Sequence, residues 1–159
     1  GLVDEDHVFL SHLDASKHGF ELVNIDVDPN AFEIDVLADA HNLDKIFRPK
    51  SFDVTYISHT LEHLRNPYKV LEVARRLTKY LVIIKIPNCR YRVLGECGDH
   101  IYSWNEYTIR NLLKRLGYRN IRVIKSRRFT GRSTIFHKIK TLLLELLLST
   151  NELTVIARV

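Results

Sequence analysis

The side chains best suited to chemistry fall in a few short stretches. Ser58, His59, Glu62 and His63 lie within S-H-T-L-E-H-L, Asp26 within V-N-I-D-V-D-P, and Asp39 within A-D-A-H-N-L. An imidazole can take or give a proton near neutral pH. A carboxylate at a strand end can accept hydrogen bonds from a ligand's hydroxyl or amino groups. A further imidazole, His100, stands in D-H-I-Y-S-W. No metal site is expected. Cys89 and Cys97 enclose seven residues, a spacing outside the common zinc patterns, and two thiols alone cannot complete a tetrahedral site. They read as free thiols of a reducing cytoplasm or as a disulfide closing the 89–97 loop.

The elements that must position these residues are read from periodicity. Phe52 to Ile57 is rich in β-formers, and so is Tyr80 to Ile86. Between them Pro67 suits a first helical turn, and Val70, Leu71, Ala74 and Leu77 share a helical face. A strand, a long crossover helix and a second strand predict a βαβ unit of a parallel sheet, covered on both faces. Ser58, His59, Glu62 and His63 then follow the carboxyl end of the first strand, while Pro87 and Asn88 follow that of the second. Open α/β sheets bind their ligands at those ends.

The rest of the chain extends the alternation. A helix is expected over 4–13, stopped by Gly19, then strands over 20–27 and 34–38, with a single turn at 43–48. After Asn88 periodicity fades, and 89–104 reads as a loop or lid. Ser103 and Glu106 have the spacing of a capping box, opening a helix with Ile109, Leu112, Leu113 and Leu116 on its apolar face and Gly117 after it. A strand over 120–126, a basic turn, an apolar helix over 135–148 and a strand over 153–159 complete the pattern. Such alternation predicts a single doubly wound α/β domain over residues 1–159.

Composition sets outer limits. The chain has 159 residues, 45% apolar and 27% charged, which is an ordinary globular balance. The longest apolar run, Leu142 to Leu148, is short and interrupted by Glu145, so no transmembrane segment is expected. No signal peptide is visible, and a cytoplasmic location is expected. Absence of Met and Gln, with abundant Lys, Arg, Ile and Leu, leans towards a thermophile. Charge is uneven: residues 1–53 carry a net −8 and residues 54–159 a net +13.

Taken in order, the three acidic strand ends and the matches around them resemble the class I S-adenosylmethionine-dependent methyltransferases, in particular the broad type 11 group. The supporting stretches are S-F-D-V before the fourth family strand, L-E-H-L after it, the helix V-L-E-V-A-R-R-L-T, the strand L-V-I-I-K-I-P-N, then H-I-Y-S-W-N-E-Y-T-I-R-N-L-L-K-R-L-G-Y and the last strand T-V-I-A-R. The resemblance covers about residues 5–159 and rests on the ordered set, not on any single motif. It implies a Rossmann-like, mostly parallel sheet with an antiparallel last strand. It also implies S-adenosylmethionine as cofactor, with Asp26 accepting from the ribose hydroxyls, Asp39 from the adenine amino group beside Ala40 and His41, and Ser58 and His59 walling the methionine portion. Against these stand plainer readings: Asp26 as a surface acid at a strand end, Asp39 as a turn cap. Glu62 and His63 would orient the loop. His59 and His100 are the candidate bases for an acceptor that must lose a proton, and Tyr102 and Trp104 would wall the acceptor pocket or pack the lid. Asn88 departs from the Asn-or-acid-Pro-Pro-aromatic motif of adenine and cytosine amino methyltransferases, so O- or N-methylation of another acceptor is expected.

The family's first strand ends in a glycine-rich loop, roughly acid-x-G-x-G, which this sequence lacks. The expectation is an N-terminally incomplete fold. The explanation is a cut from a longer protein, divergence, or a strand supplied by a second copy in a homodimer. A rival function uses the basic C-terminal third. There Arg110, Lys114, Arg115, Arg119, Arg122, Lys125, Arg127, Arg128, Arg132, Lys138 and Lys140 face the single acid Glu106 within 106–140. Arg127, Arg128 and Arg132, with Phe129 between them, would hold nucleic acid, an anionic membrane or another anionic partner in a catalytically impaired methyltransferase-like module; the plainer reading is a solvated, thermophile-like surface. The surplus apolar face of 135–148 would serve a dimer contact or an interfacial anchor.

Overall fold

The computed structural model describes residues 11–88, 100–126 and 152–159. The chain divides into two compact units, Gly1–Leu43 and Asp44–Val159, which are described separately. The expected helix over 4–13 lies mostly outside the described residues, as do the 89–99 loop, both cysteines, the basic turn and the 135–148 helix.

In the first unit, helix α1 spans His12–Lys17 and ends at Gly19, whose φ of 73° is a backbone state that glycine adopts at no steric cost. The expected strand over 20–27 narrows to β1, Ile25–Asp26, and that over 34–38 narrows to β2, Val36–Leu37. They pair in parallel, Ile25 opposite Val36 and Asp26 opposite Leu37. A β-forming run becomes strand only where a partner takes its backbone groups, and here the partner is two residues long. The Asp35 carboxylate accepts from the Asn24 N–H at 2.7 Å and lies 3.1 Å from His12 Nε2, tying α1 to the start of β2. A 3-10 helix covers Ala40–Lys45, earlier than the turn expected at 43–48.

The second unit holds a four-stranded sheet. Its strands are β3, Phe52–Ser58; β4, Thr78–Pro87; β5, Arg119–Ser126; and β6, Glu152–Arg158. The spatial order is β3-β4-β6-β5. β3 and β4 are parallel, and β6 runs antiparallel to both β4 and β5. β3, β4 and β5 therefore share one direction and the last strand opposes them, as expected.

Helix α2, Pro67–Leu77, makes the crossover from β3 to β4 and begins as predicted. Asn66 caps it by accepting from the Lys69 N–H at 3.0 Å, and Pro67 spends none of the otherwise unpaired N–H groups. The helix passes straight into β4 at Thr78. The Thr78 hydroxyl donates to the Ala74 carbonyl at 2.6 Å and meets Thr55 Oγ1 at 2.6 Å, which satisfies a fully buried polar side chain.

Register places Val82, Ile84 and Ile86 on the same sheet face as Ala157, Val155 and Leu153, and all six are fully buried. Leu71 of α2 is equally buried. So are Ile109 and Leu113 of helix α3, Glu106–Arg115. α2 packs on β4 and α3 on β5. Each such side chain contributes about 1.5–3 kcal/mol on leaving water. Tyr118 links the two helices by donating to the Leu71 carbonyl at 2.8 Å, and burial pushes its phenol far above the usual range.

The start of α3 corrects the sequence reading. The capping box is formed by Asn105 and Thr108, not by Ser103 and Glu106. Asn105 Oδ1 accepts from the Thr108 N–H at 3.0 Å, and Thr108 Oγ1 takes the Asn105 N–H at 2.9 Å. The helix ends at Gly117, φ 80°, as expected. Among the described residues no helix is long and apolar enough to cross a membrane.

Candidate functional site

In the first unit, Asp26 closes β1. Its Oδ1 accepts from the Asp28 N–H at 2.9 Å, and its own carbonyl takes the Ala38 N–H at 2.8 Å. Asp28 repeats the motif on Asn30, so the segment after β1 is a chain of side-chain-capped turns. Asp39 lies two residues past β2. The backbone N–H of His41, 2.9 Å from Asp39 Oδ1, and then the His41 ring, 2.6 Å from the same oxygen, hold this carboxyl below the usual carboxylate range. Asp39 therefore caps the turn that opens the 3-10 helix, and Ala40 is the first residue of that helix. Asp26 is half-buried at the last position of β1, and Asp39 is exposed just past β2, the two strands pairing in parallel.

In the second unit the expected polar residues gather past the carboxyl ends of β3 and β4. Ser58 closes β3, and its carbonyl accepts from the Thr60 hydroxyl at 2.8 Å. His59 continues the ladder, its N–H donating to the Lys85 carbonyl at 2.8 Å. Its φ of 45° is in the left-handed region, uncommon for a side chain other than glycine. That turn aims the ring inward. His59 Nε2 lies 2.9 Å from Glu152 Oε1, and Nδ1 lies 3.4 Å from Glu62 Oε1.

Glu152 was not singled out by the sequence. It begins β6, register sets it opposite Pro87 and Ser126, and its side chain is 8% exposed. Besides His59 it meets Lys85 Nζ at 3.3 Å and accepts from Ser126 Oγ at 3.3 Å. Lys85, an isolated charge in an apolar strand, was the available signal.

His100 joins the cluster through the backbone. The Ile101 and Tyr102 N–H groups both donate to the Glu62 carbonyl, at 2.8 and 3.1 Å, and the Tyr102 hydroxyl donates to the Arg65 carbonyl at 3.2 Å. Tyr102 stacks on the buried Trp104 with centroids 5.6 Å apart. These contacts dock 101–104 against the β3–α2 loop and bring the His100 ring to 4.8 Å from the His63 ring. Ser58, His59 and His100 thus share one end of the second unit, whereas Asp26, Asp39 and Ala40 belong to the first.

The basic residues divide differently. Glu106 Oε2 lies 2.8 Å from Lys125 Nζ and its Oε1 accepts from Arg110 at 3.0 Å; Lys125 first, then Arg110, hold the Glu106 carboxyl below its usual range. Two of the expected patch cations are therefore paired internally. Arg127, Arg128 and Arg132 lie outside the described residues.

Comparison with known proteins agrees with this architecture. A search of curated protein sequences finds no match. Solved structures do match. A SAM-dependent methyltransferase from Archaeoglobus fulgidus superposes with a TM-score of 0.65 at 19% identity, over 91% of this chain and 79% of that one. An S-adenosylmethionine-dependent methyltransferase from Mesorhizobium loti gives 0.64 at 16% identity, over 91% and 83%. Phosphoethanolamine N-methyltransferase 2 from Haemonchus contortus, in complex with S-adenosyl-L-methionine, gives 0.66 at 17% identity, over 91% of this chain but 44% of its own length. At these identities the likeness is one of fold. The family profile described as a methyltransferase domain matches residues 5–123, three quarters of the sequence and nearly all of the elements that carry the polar strand ends. By that match the chain belongs to the methyltransferase domain family.

Proposed function

We propose that the chain binds S-adenosylmethionine at the carboxyl ends of its parallel strands and transfers the methyl group to an oxygen or nitrogen of an acceptor. The observation that carries this reading is the pair of acids at the carboxyl ends of β1 and β2. Asp26 and Asp39 offer acceptor oxygens, the ribose hydroxyls and the adenine amino group are donors, and the two sets match in chemistry and in strand position. Asp39 is suited to stay ionised, because His41 donates to it twice. The names of the Archaeoglobus and Mesorhizobium proteins, and the S-adenosyl-L-methionine held by the Haemonchus enzyme, support the cofactor.

When bound, that cofactor supplies a methyl group already activated by its sulfonium. The work left to the protein is to orient the acceptor and exclude water, and positioning of this kind is worth up to about 7–11 kcal/mol of barrier. In the second unit Ser58 and the His59 backbone form the turn at the end of β3. His59 and His100 are the imidazoles available to an acceptor that must lose a proton. Calorimetric titration with S-adenosylhomocysteine tests the reading. Loss of a charged acceptor costs about 1.5–3 kcal/mol, so Asp26→Ala and Asp39→Ala should each weaken binding by roughly 10- to 150-fold. Absence of binding, or full affinity in both variants, would refute it.

A further inference from the structure

Glu62 is 1% exposed, and among the described residues neither carboxylate oxygen has a hydrogen-bond partner. What surrounds it is imidazole. Its Oε1 lies 3.4 Å from His59 Nδ1 and 3.9 Å from His63 Nε2. His100 Nδ1 is also buried and, among the described residues, without a hydrogen-bond partner. One carboxylate oxygen of Glu62 and one ring nitrogen each of His63 and His100 lie within 4.8 Å of one another. A buried carboxylate without a hydrogen-bond donor loses its hydration uncompensated.

Among the described residues, the cations nearby are already committed. Lys85 lies against Glu152, and His59 turns its Nε2 to the same carboxylate. Glu152 therefore has both Lys85 and the His59 ring as partners, while among the described residues Glu62 has ring nitrogens alone at ion-pair range. Two imidazole nitrogens and a carboxylate oxygen within 4.8 Å of one another are a donor set suited to divalent transition metals.

We propose that Glu62, His63 and His100 bind a divalent transition-metal ion of the zinc class. Bonds of about 2.0–2.2 Å in tetrahedral geometry put ligand atoms about 3.4 Å apart, so the three atoms must close by at most about 1.4 Å. Small rotations of the two rings supply that movement, and the His63 side chain, 36% exposed, gives the ion a way in. The backbone is already braced for it. The Glu62 carbonyl holds the N–H groups of Ile101 and Tyr102, fixing the residue after His100 to the residue before His63. Three protein ligands leave a coordination position open, which is the pattern of a reactive centre, not of a closed structural site. An imidazole bound to an ion has no lone pair for a proton, so this assignment moves His100 out of the role of base.

The test uses the 159-residue chain, metal-stripped, titrated with Zn2+ and separately with Co2+ in the absence of any cofactor, so that it is independent of the methyltransferase reading. Wild type is expected to take one equivalent, with Co2+ giving visible absorption of a nitrogen- and oxygen-ligated site. His100→Ala and His63→Ala should each weaken binding at least tenfold and abolish that spectrum. Circular dichroism identifies a variant that fails to fold. His63→Ala, at the more open position, remains informative if Glu62→Gln does not fold. No stoichiometric binding by wild type, or wild-type affinity retained in His63→Ala and His100→Ala, overturns the proposal.

Discussion

Replacing Glu152 by alanine should loosen the end of the sheet where the polar residues meet. The substitution removes the carboxylate that His59 Nε2 approaches at 2.9 Å and Lys85 Nζ at 3.3 Å, and to which Ser126 donates at 3.3 Å. Removing one partner of a buried charged pair costs about 3–5 kcal/mol, because the other charge stays behind. Lys85 is 24% exposed, so water recovers part of that, and two of the three contacts are long. We expect a loss of about 2–3 kcal/mol, equivalent to roughly 5–10 °C in melting temperature for a chain of this length. Urea denaturation should show the midpoint falling with its slope unchanged. Glu152→Gln keeps the shape and one acceptor oxygen without the charge, and should lose about half as much. The double variant with His59→Ala should lose less than the sum of the single variants, by at least about 0.5 kcal/mol. A cost for Glu152→Ala below about 0.5 kcal/mol, or strict additivity with His59→Ala, would show that the cluster is not an energetic unit.

Two further outcomes follow from the same structure. Asn105→Ala should destabilise the chain by about 1 kcal/mol through loss of the α3 cap, while Ser103→Ala should change stability by a few tenths, both read by denaturant melts; the reverse order would restore the cap expected from the sequence. Glu106 has a lowered pKa in the folded state, so its ion pairs contribute stability above the ordinary glutamate value, and this is lost as pH falls through the folded value. With the side chain 32% exposed the contribution is about 0.2–1 kcal/mol, and the stability gap between wild type and Glu106→Gln should close as pH falls below the ordinary glutamate range.

Legibility in the sequence followed the range of the forces involved. The β3-α2-β4 unit was readable because apolar spacing, Pro67 and the two β-rich runs are local signals. The eight-residue run at 20–27 misled because β-propensity is realised only through a partner, and Val36–Leu37 engages just Ile25–Asp26. The cap of α3 misled because Ser103-x-x-Glu106 and Asn105-x-x-Thr108 have the same spacing. The choice was made by tertiary structure: the Ile101 and Tyr102 N–H groups bind Glu62 and Tyr102 stacks on Trp104, so the chain stays extended until Asn105. His59 and His100 were found by residue type, but their surroundings were not. Glu152 meets His59 only through the register of β6 on β4, a pairing across most of the sequence that no local pattern encodes.

The position of β6 also sets a timetable. It is the last of the described strands in sequence yet lies between β4 and β5, and β5 is bonded to the sheet only through it. Until residues 152–158 emerge from the ribosome, β4 presents an open edge and β5 has no neighbour in the sheet. Bare edges of this kind invite pairing with other chains. The closing contact, Pro87 with Glu152, spans a long stretch of sequence, and such contacts form slowly. Among the described strands, β4 and β5 are therefore joined into one sheet only when residues 152–158 are in place.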